Sequence, residues 1–416
     1  MKTYEINMGL DVGNGYTKGL VWIDGETIEL TTIPSCTLRV SNPKSVMPVD
    51  NGKATEETIQ DIYNSIDCSF ESKAIPDGAR RWIGERAINA NALGMEMFDI
   101  TGRNISKAEQ PLSAEIALSY IAGTVLKQYY KENKSLPEDI LECNVNLALA
   151  LPISEYKEYS RAYKDKFKSH HHLVTIHNFL DPITVKINID SVAVAAEGAS
   201  AQYAISQYGE KLYNEMIKDA IKSGAQLQSL TSKQLSNIKD VIGIDVGEGT
   251  VNVPVFTNGK FNADASMSID SGYGTILTNA LAPCKAANHR FQSRKALAEY
   301  LQNKPDPDDY FADEYNDVYR IVENEAKALV NEILPIFSTA MTGGARAAFV
   351  YGGGAIPMRD ILYPELIEAS KAFTSGSKGF PILYVSEKFA QVLNREGLMI
   401  MANANAKRSE KGDSKN

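Results

Sequence analysis

An α/β protein built from two related halves is what this sequence predicts, on three observations. An Asp-Val-Gly-x-Gly turn lies between two apolar strand patterns at Asp11 to Gly15, and the same arrangement returns at Asp245 to Gly249. Strand-like and helix-like stretches alternate between the two turns. The chain's 416 residues, 44% of them hydrophobic, exceed what one core usually serves, so two domains of roughly 150 to 200 residues each are expected.

Ile6, Met8 and Leu10 alternate before the first turn, and Leu20, Val21, Trp22 and Ile23 follow it, which is the pattern of a hairpin. Val241, Ile242, Ile244 and Val246 precede the second turn, with Val251, Val253, Val255 and Phe256 after it. This is an internal repeat at long range. Between the hairpins, helical spacing is read at about 112–133 and 155–169, and a strand at Val145 to Leu151 ends on Pro152. Segment 26–110 is polar and irregular, so it reads as a smaller subdomain inserted in the first half. Val318, Ile321, Val322, Leu329, Val330, Ile333 and Leu334 form one helical stripe over 316–340. The expected division is 1–190 for the first domain and 191–385 for the second, with a C-terminal helix at about 386–400 returning to the first. Residues 402–416 have almost no large apolar side chains and are expected to be a disordered tail.

Composition excludes several classes. No run approaches the ~18 apolar residues of a membrane helix, and the N-terminus lacks the pattern of a secretory signal, so a soluble cytoplasmic protein without membrane attachment is expected. A net charge of -9 opposes direct nucleic-acid binding, which rests on basic groups that neutralise phosphates. Cys36, Cys68, Cys143 and Cys284 are scattered and read as reduced, packed thiols rather than zinc ligands or disulfides. His170, His171 and His172 read as an exposed polar turn, because adjacent side chains do not converge on a metal.

The turns carry the chemistry. Gly13, Asn14 and Gly15 let backbone amides approach a phosphate, and Lys18 supplies a compact positive charge. Asp11 would repel phosphates unless a divalent cation lay between, so it reads as a Mg²⁺-water ligand. One such loop alone is more often a plain β-turn; Asp245, Gly247, Glu248, Gly249 and Thr250 repeat it and favour two loops around one anion. Neither is a Walker loop or a Rossmann turn, since no G-x-x-x-x-G-K-[ST] occurs and each turn leads into a strand. Phe349, Val350 and Tyr351 run into Gly352, Gly353, Gly354 and Ala355, where a flat ring could lie on bare backbone. Glu197 is a lone acid in the small-residue run Ser191 to Ala201, read as a closely packed helix, where it could polarise a water.

These four elements, in this order, resemble the actin-like ATPase superfamily, and within it the ParM-like plasmid segregation proteins. The likeness covers most of the chain and is supported by Trp82 to Ala87, Leu149 to Pro152, Gly272 to Gly274 and Tyr384 to Met399. It implies the actin-like fold: two ribonuclease H-like domains with a nucleotide cleft between them. It further implies Asp11 and Asp245 as carboxylates for the waters of Mg²⁺, and a phosphate cradle of Gly13, Asn14, Gly15, Tyr16, Thr17 and Lys18. Gly247, Glu248, Gly249 and Thr250 would face the γ-phosphate, Gly352 to Ala355 the nucleoside, and Glu197 the attacking water. The expected activity is hydrolysis of ATP or GTP by a filament-forming protein that moves plasmid DNA through a DNA-bound adaptor protein. A small-molecule kinase of sugar-kinase type, or another ATPase on the same fold, is the alternative. Glu248 is an acid where many ParM-like sequences carry a small residue, and the alternatives for it are that it coordinates the metal waters, reports the γ-phosphate or only points into solvent.

Overall fold

The computed structural model describes residues 2–42, 46–49, 52–90, 93–98, 105–168, 171–374 and 379–413. The chain divides into two compact units, one of 1–151, 155–196 and 394–416, the other of 152–154 and 197–393.

In the first unit the strand Thr3–Val12 pairs antiparallel with Tyr16–Ile23 and parallel with Leu141–Leu151. Leu141–Leu151 in turn pairs parallel with Ile183–Ala196. Ile6, Met8, Leu10, Val21 and Ile23 point into the core, as the period-two alternation requires. The helix Leu112–Asn133 is buried on nearly all sides, which fits its apolar residues spread around the axis rather than along one stripe. Segment 26–110 continues the same sheet: its strand Asp67–Glu71 pairs with His172–Ile176, and Cys36–Arg39, Arg81–Ile83 and Met95–Met97 extend the edge. Its anchor is the buried Asp67 carboxylate, which accepts from Arg80 Nε at 2.6 Å and Trp82 Nε1 at 2.9 Å. Lys166 Nζ ties the end of this segment to the helix Ile153–Lys168 by donating to the carbonyls of Ala108 at 3.0 Å and Gln110 at 2.7 Å.

The second unit repeats the scheme. Val241–Val246 pairs antiparallel with Val251–Val253 and Val255–Thr257, and parallel with Ala347–Tyr351, which pairs parallel with Ile382–Tyr384. The helix Ala312–Thr342 lays Val318, Val322, Leu329, Val330, Ile333 and Phe337 into this core. Among the described residues the two sheets hold eleven and seven strands.

Three expectations change. The first unit reaches Ala196 rather than 190, because Ile183–Ala196 stays paired to the end of Leu141–Leu151. Residues 402–413 are not a disordered tail: the helix Leu393–Asp413 runs through them, with Ala402 buried and Asn403 accepting from Asn7 Nδ2 at 3.0 Å. Ala, Lys and Arg are strong helix formers, and a helix already docked needs no large apolar side chains to continue. Gly9 makes the docking close, since a Cβ there would collide with the backbone of Leu398 and Met399. His172 is not exposed either: it is buried, with Nδ1 2.7 Å from Ser72 Oγ and Nε2 2.8 Å from the Phe167 carbonyl. It opens a strand whose alternate residues face inward, while His170 lies outside the described residues.

Candidate functional site

The two turns are superposable in their bonding. Gly13 N–H donates to the Tyr16 carbonyl at 3.0 Å, and Gly247 N–H to that of Thr250 at 2.9 Å. Asp11 faces Lys18 across the first hairpin, and Asp245 faces Asn252 across the second. The place taken by a lysine in one turn is therefore taken by an amide in the other.

In the first turn Gly13, Asn14 and Gly15 are half-buried, Tyr16 is exposed, and Asp11 and Lys18 lie on the same face. Thr17 is set apart: its side chain is fully buried and its hydroxyl is 2.9 Å from Ser35 Oγ, so it supports the turn from behind.

The second unit gathers most of the remaining residues. Glu197 is not on a helix. It sits at the turn between the strand ending at Ala196 and the helix Ala199–Tyr208, because Gly198 takes φ +76°. That φ directs the chain against Asp245, whose Cβ would lie 3.1 Å from a Cβ at Gly198. Tyr351 fixes the same turn from below, its buried hydroxyl donating to the Gly198 carbonyl at 2.8 Å. Burial holds this phenol well above its ordinary pKa, so it stays a donor. Asn252, 3% exposed, donates through Nδ2 to Glu197 Oε2 at 3.2 Å and to Thr250 Oγ1 at 3.3 Å. Its Oδ1 accepts from Ser268 Oγ at 2.6 Å and Ile153 N at 3.5 Å, which fixes the amide's orientation. Asn252 was not among the residues singled out from the sequence, although its place opposite Asp245 in the hairpin register was a signal for it.

Glu248 does not point into solvent. Its Oε1 lies 2.7 Å from Arg294 NH2, and its carbonyl accepts from Gly274 N–H at 2.8 Å. Gly272 and Gly274 permit this approach, since a Cβ at Gly272 would stand 2.7 Å from the Glu248 carbonyl.

The glycine loop after Tyr351 divides by role. A Cβ at Gly352, with φ +93°, would collide with Asp245 Oδ1 and the Val246 carbonyl. Gly354 donates to the Val246 carbonyl at 2.9 Å and lies against Tyr273. These two glycines and Ala355 are buried; Gly353 alone of the four is exposed, with Gln391 the nearest neighbour of an added Cβ at 3.7 Å. The bare backbone open to a flat ring is that of Gly353.

Among the described residues no three His, Cys, Asp or Glu side chains group as metal ligands. A hexahydrated or nearly hydrated Mg²⁺ requires less, one or two carboxylates reached through water, and Asp245 meets that demand. It is 6% exposed, and Gly198 and Gly352 bring bare backbone up to its carboxylate, where an added Cβ would stand 3.4 Å from Oδ2 at the first and collide with Oδ1 at the second. The residues fit the ion. All four cysteines are buried and free. No helix among the described residues is long and apolar enough to cross a membrane.

Comparison with known proteins bears on the fold. Residues 9–199 match the family model described as actin-like proteins, N-terminal domain. No curated protein matches the chain significantly. Among solved structures, actin-like protein Alp7A is 16% identical with a TM-score of 0.63, covering 100% of both chains. Bacillus thuringiensis ParM with ATP is 14% identical with a TM-score of 0.56, covering 97% of this chain and 99% of its own. The 15-stranded ParM filament from Clostridium botulinum is 14% identical with a TM-score of 0.56, covering 97% and 100%. At such identities the likeness establishes the fold. Residues 9–199 thus match the N-terminal domain model of actin-like proteins, and the chain as a whole shares its fold with solved actin-like structures, ParM among them.

Proposed function

We propose that this chain is a polymerising nucleoside triphosphatase that hydrolyses ATP or GTP with Mg²⁺ and assembles head to tail into filaments. The observation that carries the reading is the duplicated hairpin, in which Asp11 and Asp245 occupy equivalent places and Glu197 is held beside the second by Asn252. One similar protein was solved with ATP and another as a filament, which supports extending nucleotide binding and assembly to this chain.

In this reading Lys18 and the amides of Gly13, Asn14 and Gly15 cradle the β-phosphate, and the turn from Gly247 to Thr250 faces the γ-phosphate. Asp11 and Asp245 would hold Mg²⁺ through water, and the ion would supply positive charge to offset that of the phosphates. Glu197, oriented by Asn252, aligns the attacking water and takes its proton. Gly353 supports the nucleoside. Hydrolysis changes the relative stability of assembled and free states, and head-to-tail contacts that do not close produce filaments. Plasmid DNA is moved through a DNA-bound adaptor protein rather than by direct contact, in keeping with the chain's net charge of -9.

Pelleting and light scattering with ATP, GTP and ADP test the reading. Assembly with a triphosphate that reverses on hydrolysis is expected. Turnover without assembly at any concentration would instead favour a small-molecule kinase or another ATPase of this fold.

A further inference from the structure

The second turn has an electrostatic difficulty that the first does not. From Val241 to Thr257 it contains Asp245 and Glu248 but no Lys or Arg, and Glu197 stands beside it. Asn252 occupies the position at which the first turn has Lys18. A loop so charged, brought against a terminal phosphate, needs a cation of its own beyond the metal. Arg294 is placed to be that cation. It opens the helix Arg294–Gln302, whose start is set by Ser293, the hydroxyl of which accepts from Ala296 N at 3.2 Å. Its guanidinium rests on Glu248, NH2 to Oε1 2.7 Å, with both side chains more than half buried.

The backbone beside this ion pair is hydrogen-bonded to the start of the helix Tyr273–Ala286. Tyr273 N–H donates to the Gly247 carbonyl at 3.0 Å and Gly274 N–H to that of Glu248 at 2.8 Å, so the turn is pinned from outside. A guanidinium offers five donors in a planar fork, and one carboxylate oxygen uses only part of them. Arg294 therefore has donors beyond those that a single carboxylate oxygen can take, and these suit a phosphate oxygen.

We propose that Arg294 is the phosphate-binding cation of the second turn, and that Glu248 holds it until a terminal phosphate of a nucleoside triphosphate arrives. This rests on the nucleotide reading given above. Glu248 is then the competitor of that phosphate: an acid that parks the arginine when the site holds a diphosphate and yields it when the third phosphate is present.

The test is displacement of a fluorescent ATP analogue by ADP and by a non-hydrolysable triphosphate, on the full chain, with thermal melting to confirm folding. Arg294→Gln loses triphosphate affinity by about ten- to a hundred-fold, the size of one charge-assisted hydrogen bond, and leaves ADP affinity unchanged. Arg294→Lys falls between, because it keeps the charge and loses the fork. Glu248→Gln releases the guanidinium and raises triphosphate affinity relative to ADP. An Arg294→Gln protein whose ratio of triphosphate to diphosphate affinity equals that of the wild type overturns the proposal, as does equal loss for both nucleotides, which would mark Arg294 as a support of the turn. Wild-type protein that binds neither nucleotide would overturn the nucleotide reading and this proposal together.

Discussion

Asn252 Nδ2 donates to Glu197 Oε2 at 3.2 Å, and Asn252 is itself the cross-strand partner of Asp245. One buried amide thereby sets the distance between the acid assigned to water and the acid assigned to metal. Glu197→Ala is expected to keep nucleotide affinity and to slow turnover by about 10²- to 10⁴-fold, the usual contribution of a positioned acid or base. Asn252→Ala leaves Glu197 in place but unsteadied, so a smaller loss of kcat with unchanged KM is expected. Single-turnover hydrolysis measured beside equilibrium binding separates the two effects; wild-type turnover in Glu197→Ala removes that residue from catalysis.

Asp245 and Asp11 are expected to differ from Glu197 in what their loss does to metal dependence. Asp245→Asn keeps the shape and removes the charge, so hydrolysis should require much higher Mg²⁺ and fall by at least about tenfold at fixed metal, one ionic hydrogen bond being about 1.5–3 kcal/mol. Asp11→Asn should move the Mg²⁺ titration the same way. A Mg²⁺ titration of kcat superimposable on that of wild type would rule out the assigned role for the variant concerned.

The hairpins were legible in the sequence because a period of two and a glycine turn fix both strands and register, and Asp11 and Asp245 came with them. Glu197 was placed in the correct segment but on the wrong element. Its neighbours Ala195, Ala196, Ala199 and Ala201 suit a helix by composition, whereas the strand to Ala196 is dictated by parallel pairing with Leu141–Leu151, more than 40 residues earlier in the chain. The Asn252–Glu197 and Arg294–Glu248 contacts join residues 55 and 46 positions apart, and no local pattern announces them. Segment 26–110 was opaque because its strands are only two to five residues long and complete an existing sheet rather than form their own.

Gly352 and Gly353 are adjacent and should respond oppositely. Gly352→Ala forces a Cβ into the left-handed region and onto Asp245 Oδ1, a backbone strain of about 1–3 kcal/mol before the collision is counted. Urea denaturation should show that loss. Gly353→Ala meets only the flexible end of Gln391 and should leave stability unchanged while it weakens nucleotide binding, if the nucleoside lies on this backbone. Full nucleotide affinity in a folded Gly353→Ala protein would move the nucleoside elsewhere.

Lys166 gives a pH test of how segment 105–110 is fastened. Desolvation lowers its pKa from the ordinary 10.5 to about 8, against the attraction of Glu115 and Glu109. Between about pH 8 and 10.5 the unfolded chain binds more protons at this site than the folded one, so the contribution of Lys166 to stability rises with pH across that window and is flat below it. The stability difference between wild type and Lys166→Met should therefore grow in favour of wild type from pH 8 to 10. A difference independent of pH would mean that the ammonium keeps an ordinary pKa.

Tyr351 explains a glycine that the phosphate-loop pattern does not. Gly243 lies inside a fully buried strand, where glycine is unfavourable, yet a Cβ there would collide with Tyr351 Oη and approach Pro254 Cγ at 2.8 Å. The glycine makes room for the phenol that reaches the Gly198 carbonyl beside Glu197. Gly243→Ala should destabilise the chain by about 1–3 kcal/mol through overpacking, and should also slow turnover because the displaced ring releases the Glu197 turn. Tyr351→Phe loses one buried hydrogen bond, about 1 kcal/mol. Combined, the two should cost less than their sum, because removing the hydroxyl relieves the worst collision. A double-mutant cycle by urea denaturation reads this coupling directly; strict additivity would show that Gly243 serves the strand for a reason other than Tyr351.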